Sequence, residues 1–351
     1  MRIKIESFGP IRNAELDIKD FLVFIGKQAS GKSTISKLIY YFLNVRDELY
    51  DFVIESLQEG RVTDIKRNID KRLKKRFIEF FGPTVHDERL SIVFSYNARL
   101  SFHITADRKD GKYISNNITE GLYGLVVEII KQNHSKFTQN YSKVKLFTST
   151  KSSYTDIEID KIQKDISTRL NDLFGFSYSL LFIPAGRSIL STLSDQLQNI
   201  HPHLLDFPMM TFIEKVVRTK AFFSKNIEDI IRDKEMLDPQ KIWYSKVKKA
   251  KDMINKIVLG NYVHDESGGK IIVPTGKYVK INFTSSGQQE SIWIVLSLFL
   301  VVLEKEDTFV FIEEPEAHLF PDGQKDVIDF VVMVRSLLKT RYVITTHSPY
   351  I

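Results

Sequence analysis

A glycine-containing segment near the N-terminus has the residue types and the spacing of a phosphate-binding loop. The segment Gly26–Ser33, GKQASGKS, fits the pattern G-x-x-x-x-G-K-[ST]. Glycines let successive backbone N–H groups turn toward phosphate oxygens, and the N-terminus of a following helix adds a partial positive charge. We therefore expect Lys32 to reach the β- and γ-phosphates of a nucleotide and the Ser33 hydroxyl to bind Mg²⁺. The predicted nucleotide-binding residues are Gly26, Lys27, Gln28, Ala29, Ser30, Gly31, Lys32, Ser33 and Thr34.

Two adjacent carboxylates stand directly after an apolar run in the C-terminal part of the chain. Phe309–Ile312 leads into Glu313 and Glu314. In a magnesium–nucleotide site, the first carboxylate holds the metal or its water, and the second polarises the water that attacks the γ-phosphate. We therefore predict Glu313, with Ser33, as a Mg²⁺ ligand and Glu314 as a catalytic residue. The usual first residue is Asp, so the longer Glu313 leaves an indirect contact with the metal open. The alternative is a strand that ends at a charged surface.

Two further segments could contact a phosphate. Thr284–Gln289 stands at a predicted strand-to-helix junction, where Ser285 or Ser286 is a suitable N-cap residue. Backbone N–H groups, a serine hydroxyl and the helix dipole would together form a second anion site there. His347 follows the apolar strand that contains Val343 and Ile344. By itself, a histidine at a strand end is more often structural than functional.

The segments around these motifs predict the elements that position them. Phe21–Ile25 is a continuous apolar run, typical of a strand covered on both faces, and apolar residues recur at helical spacing after Lys32. This context argues against a chance match to the loop pattern. Further strands are predicted at Tyr178–Pro184, Thr308–Ile312 and Tyr342–Thr345. Alternating strands and helices imply an α/β fold whose parallel sheet carries the loop and the glutamate pair at one edge.

In this order, the motifs resemble those of the ABC and SMC ATPases. The segment Thr284–Gln288 resembles the LSGGQ signature of that family, with Thr in place of Leu and Ser in place of the first Gly. His347 resembles the family's H-switch, which implies a hydrogen bond to the γ-phosphate or to the hydrolytic water. Glu314–Pro321 resembles the D-loop region of the RecF and overcoming-lysogenization-defect branch, including AAA_15-like members, rather than that of a transporter subunit.

The resemblance implies a P-loop NTPase with ABC-ATPase head topology. That topology has a mixed, largely parallel core sheet, an antiparallel β subdomain and a helical insertion. It also implies a homodimer that sandwiches ATP and Mg²⁺. The signature residues of one copy would then complete the site of the other, and these are Ser285, Ser286, Gly287 and Gln288.

A finer resemblance concerns biological role. Ile183–Ser188 and the signature resemble segments of Septu-type and retron-associated defence ATPases. The implied function is slow ATP hydrolysis that controls an effector or nuclease partner in anti-phage defence or DNA maintenance. One alternative is the ATP-binding subunit of a membrane transporter, which the long basic insertion argues against. Another is an ATP-clamped scaffold without turnover, which Glu314 and His347 argue against. Arg187, which follows a strand, is expected either near the nucleotide or interface or in a structural salt bridge.

We expect one ATPase domain over residues 1–351, and a further C-terminal region beyond it because this fold normally continues after the H-switch. The predicted parts are an N-terminal lobe with the P-loop (1–44), an insertion (45–176), a core strand and loop (177–190), a helical subdomain (191–277), and a lobe with the signature, the acidic strand end and the H-switch (278–351). Elements expected between the motifs are a basic helix Asp64–Phe80, strands around Leu90–Thr105, a turn Lys109–Gly111, helices within Ser191–Val258, and a hairpin with the turn His264–Gly269 and the strands Lys270–Pro274 and Lys277–Thr284.

The basic helix is a second candidate binding element. Its apolar residues recur every four positions, and basic residues surround that stripe. Such a helix could contact nucleic-acid phosphates, or it could be a solvated face on a helix docked by its stripe. The basic residues are Lys66, Arg67, Lys71, Arg72, Lys74, Lys75 and Arg76.

Composition sets outer limits on function. The chain has no cysteine, which excludes a disulfide framework and a thiolate metal site. A formal charge of +6 permits nucleic-acid binding without requiring it. The N-terminal segment lacks the apolar core of a secretory signal, and the apolar run Ile292–Leu303 is short for a bilayer span. We therefore expect a cytoplasmic protein without a membrane partner.

Overall fold

The structure is a computed structural model of the 351-residue chain, and it describes residues 1–60, 63–82, 89–106, 114–146, 153–192, 205–237 and 241–351. The predicted turn Lys109–Gly111 lies outside the described residues. Two compact units are present. The first comprises Met1–Ile18 and Lys37–Ser177, and the second comprises Lys19–Ser36 and Tyr178–Ile351.

The elements of the described residues follow in chain order. The strands are β1 (Arg2–Phe8), β2 (Ile11–Asp17), β3 (Phe21–Ile25), β4 (Ser91–Ser95), β5 (Ser101–Ala106), β6 (Ile114–Ile118), β7 (Ser179–Ile183), β8 (Asn261–Asp265), β9 (Gly268–Ile272), β10 (Tyr278–Lys280), β11 (Thr308–Glu313) and β12 (Arg341–Thr346). The helices are α1 (Lys32–Glu59), α2 (Ile65–Phe81), α3 (Gly121–Leu146), α4 (Ser153–Phe174), α5 (Ser188–Thr192), α6 (Phe207–Phe222), α7 (Ile227–Leu237), α8 (Lys241–Val258), α9 (Ser286–Glu304) and α10 (Pro321–Leu337).

The first unit is built on an antiparallel sheet with the strand order β2-β1-β4-β5-β6. Alternate residues of β4 and β5 are buried, which is the pattern of a sheet with one covered face. Aromatic side chains fill that core: the ring of Phe42 stacks on Phe94 at 4.8 Å, and Tyr41 meets Phe77 edge-on at 5.4 Å. Strand β1 pairs with β4, so the N-terminal strands share a sheet with the predicted insertion.

The second unit contains a parallel sheet with the strand order β3-β12-β11-β7. In register, Val23 lies beside Ile344, Ile344 beside Ile312, and Ile312 beside Ile183. These strands are nearly continuous apolar runs because helices cover both faces of such a sheet. The predicted α/β class is confirmed, and the antiparallel strands lie in separate sheets from the parallel one.

The predicted hairpin of the second unit needs correction. It is an antiparallel sheet with the order β10-β9-β8. Of the predicted turn His264–Gly269, His264 and Asp265 belong to β8, and Gly268 and Gly269 belong to β9. The expected strand Lys277–Thr284 ends at Lys280 and continues as a 3-10 turn, Ile281–Phe283. Two hydrogen bonds stabilise this turn, since the backbone N–H and the hydroxyl of Thr284 both donate to the carbonyl of Ile281.

Helix α9 is the central apolar helix of the second unit. Its length and composition would allow it to cross a membrane, but 78% of its most apolar window is buried within the protein. Trp293 is fully buried there, and its indole N–H donates to the hydroxyl of Ser191 at 2.9 Å. The helix therefore has the burial of a core helix.

Candidate nucleotide site

The carboxyl ends of the parallel strands bring the predicted motifs to one sheet edge. Strand β3 leads into the glycine-containing loop, and β11 ends at Glu313. Strand β12 leads to His347, and β7 leads to Arg187. Ligands of open α/β sheets bind at this edge, so the arrangement has the location that a nucleotide site requires.

The loop between β3 and α1 curls around the ammonium group of Lys32. Its Nζ donates to the carbonyl oxygens of Gly26 and Lys27, each at 2.7 Å. Gly31 has φ +92°, a conformation that glycine adopts without a steric cost, and Ala29 has φ +58°. Helix α1 then begins at Lys32, so its free N–H groups start at the loop as the sequence predicts.

The other predicted loop residues lie on an open surface. Those between Gly26 and Gly31 are exposed, and so is Ser33 in the first turn of α1, while Thr34 is partly buried. A lysine ammonium at a helix N-terminus, surrounded by exposed residues, is accessible to an anion.

Lys32, His347 and Glu314 are joined by direct contacts. Lys32 Nζ lies 3.4 Å from His347 Nδ1, and His347 Nε2 lies 3.0 Å from Glu314 Oε1. Because an ammonium group can only donate, Nδ1 accepts, and Nε2 carries the proton donated to the carboxylate. The side chains of His347 and Glu314 are about one-third exposed, at 34% and 36%, so solvent and ligands can reach both.

Glu314 has an unusual backbone conformation. Its φ is +45°, a region that costs a non-glycine residue roughly 1–2 kcal/mol. Hydrogen bonds on both sides hold it there: its N–H donates to the carbonyl of Thr345 at 2.8 Å, and its own carbonyl accepts from Arg187 at 2.9 Å. Such strained residues cluster at functional sites, which makes Glu314 the strongest candidate on this strand end.

Glu313 has the properties of a cation ligand. It is only 4% exposed, and its Oε2 accepts from the N–H of Ala185 at 3.3 Å. Its Oε1 is buried and has no hydrogen-bond partner among the described residues. A buried, unpaired carboxylate oxygen calls for a further partner, and Mg²⁺ is a hard cation that takes oxygen ligands.

The described residues contain no cluster of three or more His, Cys, Asp or Glu side chains that could hold a metal. In nucleotide sites, Mg²⁺ is usually bound through one or two protein oxygens and the substrate phosphates. Ser33 and Glu313 are the residues that would hold it.

Arg187 lies in a buried salt bridge. Its side chain is fully buried, and its Nε lies 3.2 Å from Oε2 of Glu290 on α9. Burial lowers the pKa of the Arg187 guanidinium, while the carboxylates of Glu290 and of the strand end act in the opposite direction. Of the alternatives that the sequence left open for Arg187, the salt bridge is observed.

Glu316 is a site residue that sequence reasoning missed. Its Oε1 accepts from the hydroxyl of Thr346 at 2.6 Å and from the N–H groups of His347 and Ser348 at 2.7 and 3.3 Å. These contacts fix the turn that presents His347. The signal in the sequence was a second glutamate two residues after Glu314.

The signature segment begins α9 with a capping box. The hydroxyl of Ser285 accepts from the N–H of Gln288, and the Gln288 side chain accepts from the N–H of Ser285, each at 3.3 Å. The N-cap prediction is therefore confirmed. A Cβ at Gly287 would lie 2.7 Å from the carbonyl oxygen of His318, so only glycine fits there. Ser285 and Ser286 are exposed.

The basic helix α2 lies in the first unit and buries its predicted apolar stripe. Glu48, with a 4% exposed side chain, forms salt bridges with Arg72 at 2.8 Å and Arg76 at 2.6 Å. Arg72 also pairs with Glu55 at 2.6 Å, and Arg76 with Glu79 at 2.6 Å.

The remaining basic residues of α2 are less constrained. Lys66 lies over the ring of Tyr123 at 5.0 Å, and Lys75 lies 3.7 Å from Glu79. No contact within the described part of the chain engages the charged groups of Arg67, Lys71 and Lys74. These three residues are the part of α2 that is available to a nucleic-acid phosphate.

A match to a known protein family supports an ATPase assignment. The family described as AAA ATPase domain (AAA_15) matches residues 1–351, and the chain therefore belongs to this family. No curated protein matches the chain. Similar solved structures include an SMC head domain from Thermotoga maritima, with 12% identity, TM-score 0.38 and coverage of 99% of this chain and 89% of that chain. Another is an SmcHead bound to the C-winged helix domain of ScpA, with 14% identity, TM-score 0.42 and the same coverages of 99% and 89%.

Proposed function

We propose that this member of the AAA ATPase domain family is an ABC/SMC-type ATPase that binds ATP at the edge of its parallel sheet and hydrolyses it slowly. The observation that carries the proposal is the direct contact of the P-loop lysine with His347 and of His347 with Glu314. A phosphate-binding cation, an imidazole and a carboxylate thus meet where three parallel strands end. A cation that binds the phosphates and groups that can exchange a proton with the attacking water are the parts that ATP hydrolysis uses.

Each residue has a specific role in this proposal. The N–H groups of residues 26–34 and the ammonium of Lys32 bind the phosphates. Ser33 and Glu313 hold Mg²⁺, which supplies charge neutralisation at the β- and γ-phosphates when it is bound. Glu314 orients the attacking water and accepts its proton, and His347 donates from Nε2 toward the γ-phosphate or that water.

A second copy of the chain would complete the site. The start of α9 offers exposed Ser285 and Ser286, a close-packed Gly287, and free N–H groups at a helix N-terminus. In the proposed homodimer, this helix start and Gln288 face the γ-phosphate bound by the other copy. ATP would then hold the two copies together, and hydrolysis would release them.

The biological role is proposed from the sequence resemblance. Segments Ile183–Ser188 and Thr284–Gln289 resemble those of Septu-type and retron-associated ATPases. We propose that the ATP cycle controls an effector or nuclease partner in anti-phage defence or DNA maintenance, in the cytoplasm. Contact with nucleic acid would come through Arg67, Lys71 and Lys74 of α2.

Phosphate release from Mg-ATP tests the catalytic assignment. We expect Glu314→Gln to lower kcat by roughly 100-fold or more, because the amide cannot accept the proton of the water. Binding of a fluorescent ATP analogue should stay near the wild-type value, because Glu314 contributes to the reaction rather than to affinity. Glu266→Gln, at an exposed glutamate of the same unit, is the matched control and should leave kcat unchanged. Equal turnover by wild type and Glu314→Gln would contradict the assignment, and wild-type binding without turnover would favour an ATP-clamped scaffold.

A further inference from the structure

Arg187 connects three parts of the second unit through its guanidinium and backbone. The guanidinium donates to carbonyl oxygens of Pro184 at 2.6 Å, Glu313 at 2.7 Å and Glu314 at 2.9 Å. Its Nε also donates to the carbonyl oxygen of Glu290 at 3.0 Å. A single buried side chain thus holds the end of β7, the end of β11 and the helix α9.

Glu290, on helix α9, contacts the backbone of the Arg187 segment in return. Its carboxylate accepts from the N–H of Arg187 at 3.1 Å and from the N–H of Ser188 at 3.0 Å. Glu290 lies five residues after the N-cap Ser285, within the first turns of α9. Because these turns form a regular helix, a movement of the capped helix start also moves Glu290.

We propose that Arg187 and Glu290 are a positioning pair that couples the start of α9 to the backbone of Glu313 and Glu314. The inference rests on the proposed function, in which α9 senses a γ-phosphate and Glu314 acts on water. Arg187 touches neither nucleotide nor water in this account; it acts by holding the carbonyl of Glu314, whose left-handed backbone aims the carboxylate at His347. A planar guanidinium suits this task because its donors have fixed directions.

A purely structural salt bridge is the competing explanation. It would change stability and kcat together, and restoring stability would restore kcat. A positioning pair would lower kcat even in a stably folded variant, with little change in the KM for ATP, because phosphate binding rests on the P-loop. A displacement of the Glu314 carboxylate from its reactive position can lower the rate of the reaction on the order of 100-fold.

The decisive variant is the double substitution Arg187→Met with Glu290→Gln. It removes both members of the salt bridge, so neither one is left as a buried charge without its partner, and the amide oxygen introduced by Glu290→Gln can still accept a backbone hydrogen bond. Arg187→Lys keeps the charge and should rescue kcat in part. Arg46→Met is the matched control, because Arg46 is a buried arginine of the first unit that pairs with Asp47 at 2.7 Å.

Two readouts are needed: steady-state kinetics with Mg-ATP, and hydrogen–deuterium exchange of the protein without nucleotide. For the double variant, we expect kcat to fall at least roughly tenfold at a KM within about twofold of wild type. We also expect faster exchange of the amides of Glu314 and Ala317, which bond to Thr345 and Glu314. Arg46→Met should change neither kcat nor the exchange rates of the amides of Glu314 and Ala317.

Each outcome decides the proposal. A double variant with wild-type kcat, or with wild-type exchange at Glu314 and Ala317, would overturn the coupling. If the wild-type protein shows no turnover, the proposed function fails by itself. The exchange data then decide the pair alone, since they need no activity.

Discussion

Two clusters of basic side chains in this protein differ in what their charges contact. At the sheet edge, Lys32 donates to backbone carbonyls and faces an imidazole. In helix α2, Arg72 and Arg76 both pair with the buried carboxylate of Glu48. The first ammonium meets no carboxylate in its described contacts, whereas both arginines are already neutralised.

The difference shows that a dense run of positive charge is a weak sign of a binding site. The arginines of α2 belong to a salt-bridge network that stabilises α2 against α1. Lys32 keeps its charge for a ligand, because carbonyl oxygens orient an ammonium group without cancelling it. Arg67, Lys71 and Lys74 of α2 likewise meet no carboxylate within the described part of the chain.

The largest effect is expected from Lys32→Ala. Loss of the ammonium should lower the affinity for Mg-ATP and reduce phosphate release by roughly 100-fold or more, because the charge of the β- and γ-phosphates is no longer balanced. Lys27→Ala is the matched control: it removes an exposed lysine of the same loop and should keep most of the activity. Equal losses in the two variants would mean that the loop responds to total charge, not to the position of Lys32.

An intermediate effect is expected from Glu48→Gln. Removing the shared carboxylate leaves Arg72 and Arg76 without their buried partner, which should cost about 1–3 kcal/mol of unfolding free energy. Denaturant unfolding followed by circular dichroism measures it. Glu55→Gln should cost less than about 1 kcal/mol, because the Glu55 side chain is 54% exposed. A Glu48→Gln protein as stable as wild type would contradict the view that these arginines serve the fold.

The smallest effect is expected from Lys71→Glu with Lys74→Glu. If α2 contacts nucleic-acid phosphates, the affinity of the variant for duplex DNA or RNA should be lower than that of wild type at low salt. The negative slope of the logarithm of the binding constant against the logarithm of the salt concentration should become shallower by about two. Stability should remain near wild type. Unchanged binding by this variant, measured by fluorescence anisotropy, would mean that the basic face of α2 is a solvated surface.

The elements that are specified by residues close together in the chain could be predicted from the sequence. The strand–loop–helix around Lys32, the acidic end of β11 and the capped start of α9 are each specified within a few neighbouring residues. The meeting of the loop and the acidic end of β11 at one sheet edge followed from the parallel arrangement of the strands.

Long-range pairs could not be predicted in the same way. Arg187 and Glu290 are 103 residues apart, and Glu48 lies 24 and 28 residues from its two arginines. A single sequence contains no local signal for such pairs, because burial and tertiary packing create them. The same holds for the pairing of β1 with β4, and for the end of β10 at Lys280, where the hydrogen bonds of Thr284 favour a turn over continued extension.

The central claim is that the sheet edge is half of an ATP site that a second copy completes. The most direct test is the mass of Glu314→Gln by light scattering, with and without Mg-ATP, beside the same variant carrying Lys32→Ala. The account predicts a monomer that becomes a dimer only with Mg-ATP, and no such change when Lys32 is absent. A mass that does not respond to ATP would contradict a site completed across two copies.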